Sequence, residues 1–214
     1  MCIILFVFYI KNDAQVAFKI NKIIAVSTAS GTQEQESDNI WDLNLNQDND
    51  IYIYLEQNKQ YSKEDTASKV KVCNFHINKQ PEIGTVQVYH DLNEDKNSKT
   101  ELEYNIAPLN SNIGINNISN KGGIIKFKII NSDLGKYTSN DEIAIRHDGT
   151  ILNRSEVKFE EIKFEIYFDL IIENQSGKKY KTTIRLNLPN GNILENGVET
   201  EEIKDLENIK FQRV

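Results

Sequence analysis

The sequence predicts an all-β protein, an immunoglobulin-like β-sandwich of about ten short antiparallel strands. Three observations support this fold class. Apolar residues recur at every second position in many short segments, turn signals separate these segments, and no segment shows a clear helical period. Because successive side chains leave a strand on opposite faces, a period of two indicates strands with one buried face.

The clearest of these segments is residues 162–188, which the pattern predicts to be a long β-hairpin. Apolar residues occupy the even positions from Ile162 to Ile172, and the alternation resumes at Tyr180 after a polar break. A three-residue loop through the break places Gly177 where the backbone needs a positive φ. The cross-strand pairs that this loop predicts are Phe168 with Ile184, Ile166 with Leu186, Asn174 with Lys178, and Glu173 with Lys179.

Shorter alternations before the hairpin predict further strands. Residues 41–45 and 51–55 alternate, and the polar residues 46–50 between them predict a turn. In the segment 69–77 the apolar phase shifts from even to odd positions near Cys73, which indicates a β-bulge. Further predicted elements are strands at 86–88, 102–106, 125–129 and 143–145, a long loop at 107–123, and a tail at 199–214 that is either a short helix or an edge strand.

The N-terminal residues are almost wholly apolar. Residues 2–10 carry no charge, and they are too few to span a bilayer as a helix, which takes about 20 residues. No basic region precedes them, as it would in a signal peptide. Two interpretations stay open: the end of a truncated membrane anchor, which we favour, or a fully buried first strand. Lysines follow this apolar run, and positive charges beside a membrane anchor usually stay on the cytoplasmic side. They therefore argue against a domain that faces outward.

These features predict three parts of the chain. Residues 1–29 form an apolar N-terminal segment, which comprises the end of the anchor and either a juxtamembrane helix or the lead-in to a first strand. Residues 30–39 contain no apolar side chain and form a polar linker. The β-sandwich domain is expected to cover residues 40–214.

Composition argues against several classes of function. The net charge is −7, and no basic run is longer than Lys178-Lys179, which argues against a nucleic-acid-binding protein. The two cysteines, Cys2 and Cys73, do not form a disulfide framework. We expect Cys73 to be a buried, inert thiol in a strand.

No motif predicts catalysis, a metal or a cofactor. Residues 91–97 resemble the start of a calcium loop, but Lys96 and Leu102 stand where such a loop needs glycine and a bidentate glutamate. The three histidines, His76, His90 and His147, show no short ligand spacing. Neither a nucleophile motif nor a Gly-rich phosphate loop is present. We therefore predict no catalytic, cofactor-binding or metal-binding residue.

Three aromatic residues give a mild binding signal. Tyr52 and Tyr54 lie on the strand face opposite Ile51 and Ile53, and Trp41 is the single tryptophan. A flat aromatic patch stacks well on sugar rings, so these three residues form a candidate ligand platform. Ordinary packing within a sandwich is the competing interpretation.

Several strings together resemble a group of bacterial proteins, mainly from low-GC Gram-positive gut bacteria. The strings are Ala17–Ile24, Asn49–Tyr54, His147–Asn153, Glu161–Phe164 and Ser176–Tyr180. Members of that group look like single-anchor proteins with an extracytoplasmic β-rich domain, and the similarity covers most of the chain. The resemblance implies a cell-membrane location with the domain outside, and it brings no activity or site residues.

The sequence thus predicts a membrane-anchored, extracytoplasmic β-sandwich without a cofactor. Its expected role is that of a structural or protein-interaction module of the cell envelope, with an envelope protein or glycan as partner. Two alternatives are a carbohydrate-binding module, in which Trp41, Tyr52 or Tyr54 forms the platform, and an enzyme whose site is built from distant loops.

Overall fold

The computed structural model describes residues 16–37, 40–58, 66–90, 97–107, 115–139, 150–203, 206 and 209–214. These residues are mostly in strands, which form two antiparallel sheets around a shared apolar core. The predicted all-β class is confirmed, and the two-sheet arrangement agrees with a sandwich. The predicted anchor at residues 1–10 and the predicted strand at 143–145 lie outside the described residues.

In chain order the elements are β1 (Phe18–Ser37), β2 (Ile40–Gln57), β3 (Ala67–Lys79), β4 (Thr85–His90), β5 (Glu101–Asn105), β6 (Ile118–Ser119), β7 (Gly122–Ser139), α1 (Thr150–Arg154), α2 (Phe159–Ile162), β8 (Phe164–Asn174), β9 (Lys179–Leu188), α3 (Ile193–Asn196), β10 (Val198–Ile203) and β11 (Gln212–Arg213). The first sheet has the strand order β10-β1-β2-β7-β4, with β6 also pairing with β7. The second sheet has the order β11-β9-β8-β3-β5. In the described ranges, no helix is long and apolar enough to cross a membrane.

The predicted hairpin is confirmed as β8 and β9. Phe168 lies opposite Ile184, Ile166 opposite Leu186, and Glu173 opposite Lys179. At the loop, the Asn174 amide donates to the Lys178 carbonyl oxygen over 2.9 Å, and Gly177 has a φ of 79°. The prediction was wrong at one end, because Ile162 closes helix α2 and the strand begins at Phe164.

The predicted linker at residues 30–39 is wrong over residues 30–37, which continue strand β1. Pairing of β1 with β2 extends from Phe18 opposite Gln57 to Ser37 opposite Ile40. Backbone hydrogen bonds hold this pairing, so a strand persists where the side chains give no apolar signal. The folded region therefore starts before Ile40, and of the two interpretations of residues 16–29 the first-strand lead-in is correct.

The predicted turn at residues 46–50 is also wrong. Strand β2 runs through it, with a register shift between Leu45 and Gln47. The polar residues in this segment do not mark a turn. The side chains of Asn46, Gln47 and Asn49 are buried and make hydrogen bonds to neighbouring groups of the protein. Strands β1, β2 and β7 are accordingly long, with 20, 18 and 18 residues.

The interior contains two apolar clusters. The main cluster lies between the sheets and includes Phe127 of the first sheet and Phe168 of the second, whose ring centroids are 5.3 Å apart. The second cluster packs the far parts of β1, β2 and β7 against the three short helices, with Leu45 and Leu152 fully buried. Between the two clusters lie four buried polar residues, which we call the polar belt: Ser27, Gln47, Asn49 and Asn131.

Candidate functional site

An open cleft of about 460 Å³ lies between edge strand β4 of the first sheet and strand β3 of the second. Residues 98–101, which lead into β5, and Ile166 of β8 complete its lining. Strand β5 pairs with β3 only from Lys69 to Cys73. Beyond Cys73 this side of β3 is not covered by β5, and the cleft is located there.

The floor of the cleft is apolar and rests on the main cluster. Phe75 is half-buried, and its ring centroid lies 5.9 Å from that of Phe127 and 5.8 Å from that of Phe168. Ile77 and Val86 are also partly buried against the same cluster. Because Phe127 and Phe168 are fully buried in the close-packed core, their contacts with Phe75 fix the position of its ring.

A β-bulge in β3 directs Phe75 into the cleft. The register of β3 against β8 shifts between Cys73 and His76, and Asn74 has a positive φ of 55°. This confirms the bulge that the sequence predicts near Cys73. The extra residue moves the apolar phase from Val72 to Phe75, which is how a bulge redirects a side chain.

A carboxylate on the outer face of β8 anchors the bulge. The Asn74 side-chain amide donates to Asp169 Oδ2 over 2.8 Å, while Thr183 donates to Oδ1 over 2.6 Å and Lys181 to Oδ2 over 3.2 Å. Burial acts to raise the pKa of the Asp169 carboxyl, but these hydrogen bonds outweigh it and hold the pKa below its ordinary value. Asp169 therefore stays ionised and keeps accepting from Asn74.

The cleft wall contains a thiol that is not activated. Cys73 is 6% exposed, as expected from the sequence. Burial raises the pKa of its thiol, and the nearby carboxylates of Glu101 and Asp169 raise it further. Because the thiolate is the nucleophile, a raised pKa makes Cys73 a poor one at neutral pH.

The rim of the cleft carries polar side chains. Asn74, Ser98 and Thr100 are exposed at its mouth, and Gln87 is half-buried. Glu101 is held by Lys71, whose Nζ lies 2.6 Å from its carboxylate. In the part of the chain that the structure describes, no group of three or more His, Cys, Asp or Glu side chains is placed to hold a metal ion. An apolar floor with a polar rim suits binding of an amphipathic ligand.

The structure does not bring the three residues of the sequence-predicted platform together. Tyr52 and Tyr54 are half-buried neighbours on the outer face of the first sheet. Trp41 lies in the same strand, eleven residues before Tyr52, which at the rise of a strand is roughly 35 Å away. Lysine side chains lie over both tyrosine rings: Lys22 Nζ is 4.6 Å from the Tyr54 centroid, and Lys126 Nζ is 5.4 Å from the Tyr52 centroid.

The outer face of the second sheet is a ladder of ion pairs. Charged residues alternate across β5, β3, β8 and β9, so that most carboxylates face an ammonium or guanidinium group. Hydrogen bonds from Lys69 and Lys71 lower the pKa of Glu103, and a hydrogen bond from Asn78, with help from Arg185, lowers that of Glu165. The charges of this face are therefore matched within the sheet.

The cleft was not predicted from the sequence. Its walls come from β3, β4 and residues 98–101, which follow one another in sequence, but β3 and β4 belong to different sheets and the cleft depends on how those sheets pack. The bulge signal near Cys73 was its one local indication. Comparison with protein-family models, with curated proteins and with solved structures gives no match.

Proposed function

We propose that this chain is a ligand-binding module of the bacterial cell envelope, with an immunoglobulin-like sandwich that faces outside and is held at the membrane by the N-terminal segment. The cleft between β3 and β4 is its binding site. The observation that carries this proposal is the cleft itself, with Phe75 half-exposed on its floor.

The strand order supports the immunoglobulin-like part of the proposal. Strands β1-β2-β7-β4 follow one another in the first sheet, and β3-β8-β9 in the second. Assigned the letters A, B, C, D, E, F and G in chain order, β1, β2, β3, β4, β7, β8 and β9 give the ABED and CFG sheets of a constant-type immunoglobulin sandwich. Many cell-surface domains share this architecture, which fits an envelope role, although a fold alone does not define a function.

The size and chemistry of the cleft support a binding role. Pockets for small ligands are typically clefts of about 300–1,000 Å³ with an apolar lining and a few polar groups. The cleft volume lies within this range, and the lining is about half apolar and half polar, with the apolar side chains on the floor. A half-exposed phenylalanine, held in place by two buried rings, offers an apolar contact that needs no rearrangement on binding.

The binding proposal is tested by titrating a fragment library into the full chain and following backbone amide NMR shifts. We expect shifts to cluster at Phe75, Val86 and Ser98. Ser98→Trp fills the mouth of the cleft and should abolish them, whereas Ser176→Trp, in the exposed β8–β9 loop, should leave them unchanged. Fragments that shift only residues outside the cleft, or that bind S98W equally well, overturn the proposal.

The membrane address is tested by protease treatment of intact cells that express the chain with a C-terminal tag. We expect the tag to be lost from intact cells while a cytosolic marker protein survives. A tag that is protected until the cells are lysed contradicts the outward-facing arrangement.

A carbohydrate-binding face is a second candidate function, favoured by Tyr52 and Tyr54. The two rings lie side by side on the outer face of the first sheet and remain partly exposed. If they form a sugar platform, purified chain should sediment with insoluble peptidoglycan, and the Tyr52→Ala, Tyr54→Ala double variant should not. Equal sedimentation of both proteins, or of neither, counts against this face.

A further inference from the structure

Strand β4 presents an open edge along the cleft. It pairs with β7 on one side, and on the other side the Lys99 amide donates to the Val88 carbonyl oxygen over 2.7 Å. The N–H and C=O of one strand residue point to the same side, and alternate residues repeat that direction. The backbone N–H and C=O of Val86 therefore also point away from β7. Among the described residues, none bonds to Val86 on that side.

The edge strands of the two sheets differ in charge. Strand β10 carries Glu199, Glu201 and Glu202, and β5 carries Glu101 and Glu103. Strand β4 contains no Asp, Glu, Lys or Arg. Charged side chains on an edge discourage other strands from pairing with it. Of these three edges, β4 alone lacks that protection, and it is the edge that borders the cleft.

A strand added to β4 would lie over the cleft floor. Val88 and Val86 alternate with Gln87, and both valines line the cleft together with Phe75. In strand addition, backbone hydrogen bonds supply affinity, and pockets for alternate side chains supply specificity. Both requirements are present here: backbone groups at Val86 that bond to no described residue on this side, and an apolar floor within side-chain reach.

The length of the free edge indicates what kind of strand fits. Val88 already accepts from Lys99, so the open part of β4 comprises Thr85 to Gln87. A second copy pairing through its own β4 would need the whole edge, including the position that Lys99 occupies. A short extended peptide needs only the open part.

We propose that the cleft binds a short extended peptide of a partner protein, which pairs its backbone with Val86 and places an apolar side chain against Phe75. This inference rests on the proposed binding function of the cleft and adds the chemical class of the ligand.

The experiment is selection of a displayed library of random linear peptides on the full chain, followed by calorimetry with the selected peptides. We expect them to slow amide hydrogen exchange at Val86 and to shift Phe75. Val86→Pro removes the pairing N–H and should weaken binding about tenfold. Val86→Thr keeps the N–H and the branched shape and serves as the matched control. Because an edge position with its N–H outward tolerates proline, V86P should fold.

Several outcomes overturn the proposal. Selected peptides that bind V86P with unchanged affinity, or that protect amides away from β4, contradict strand addition. Protection of Val86 only in a concentration-dependent dimer assigns the edge to a second copy. If V86P does not fold, Gln87→Lys replaces it, because it places a charge on the same edge. Q87K should weaken peptide binding, and unchanged binding overturns the proposal. Fragments that bind the cleft when no peptide does overturn this inference while leaving the proposed function intact.

Discussion

The β8–β9 and β1–β2 hairpins differ in the number of apolar clusters that they pack against. The β8–β9 hairpin keeps an apolar inner face along most of its length and faces one core, while its outer face carries ion pairs. The β1–β2 hairpin is longer, and its inner face passes from the main cluster through the polar belt to the second cluster. A hairpin that packs against two apolar clusters needs a defined boundary between them, and the polar belt lies at that boundary.

The hydrogen bonds of the belt explain how it defines the crossing. Ser27 Oγ donates to Asn49 Oδ1 over 2.8 Å, and Gln47 Nε2 donates to the same oxygen over 3.1 Å. Asn49 Nδ2 donates to the Ile129 carbonyl oxygen of β7 over 2.9 Å. A slip of one residue would turn these amides to the outer face and put outward polar groups into the core. The belt therefore favours one register at the cost of apolar burial.

The largest expected effect is at the centre of the single-core hairpin. Phe168→Ala removes a fully buried ring that contacts Phe75 and Phe127, so it should lower the free energy of unfolding by about 3–5 kcal/mol. Urea unfolding followed by circular dichroism measures this. Tyr167→Ala, on the outer face of the same strand, is the control. A loss smaller than that of the belt substitution below would break the comparison.

An intermediate effect is expected in the belt. Asn49→Ala removes the acceptor of the Ser27 hydroxyl and of the Gln47 amide, and the side-chain donor to the Ile129 carbonyl oxygen, which should cost about 2–3 kcal/mol. Amide hydrogen exchange should quicken most around Leu45 and Leu152 in the second cluster, because the belt joins that cluster to the main core. Asn44→Ala, on the outer face of β2, is the matched control. If amide exchange quickens equally throughout both hairpins, the belt does not control the stability of the second cluster in particular.

The smallest expected effect concerns the charged face of the β8–β9 hairpin at low pH. The folded pKa of Asp169 is lowered, so its carboxylate stabilises the fold above the unfolded pKa of about 3.9, and this contribution is lost as pH falls through the folded pKa. Between about pH 6 and pH 2, the Asp169→Asn variant should lose less stability than the natural chain. Glu195→Gln, at an exposed site, is the control. If the free energy of unfolding falls with pH equally in the natural chain and in D169N, the Asp169 carboxylate does not stabilise the fold.

The sequence predicts a strand well where side-chain periodicity and loop chemistry agree. In the β8–β9 hairpin, apolar alternation and a loop glycine both specify one register, and the pairs at Phe168 and Glu173 are as predicted. In β1–β2 they conflict. Gln47 and Asn49 face inward, so local polarity suggested a turn, and residues 30–37 are held by backbone pairing that side-chain pattern does not report.

The candidate site was harder to predict than the fold. Tyr52 and Tyr54 were placed correctly on the face opposite Ile51 and Ile53, yet Trp41 lies far along the strand. The cleft depends on which strands become edges, and that follows from pairing between segments distant in sequence. The phase shift near Cys73 predicted the bulge, but nothing local indicated that β4 would lie across from it.

The partners of strand β1 determine the order in which the first sheet is assembled. On one side lies β2, the next strand in sequence, while on the other lies β10, with Ile23 opposite Ile203. A ribosome therefore releases β1 long before its second neighbour exists. Because pairings between segments distant in sequence form slowly, we expect this pairing to come late in folding. Until β10 is made, nothing in the native sheet can pair with the outer side of β1.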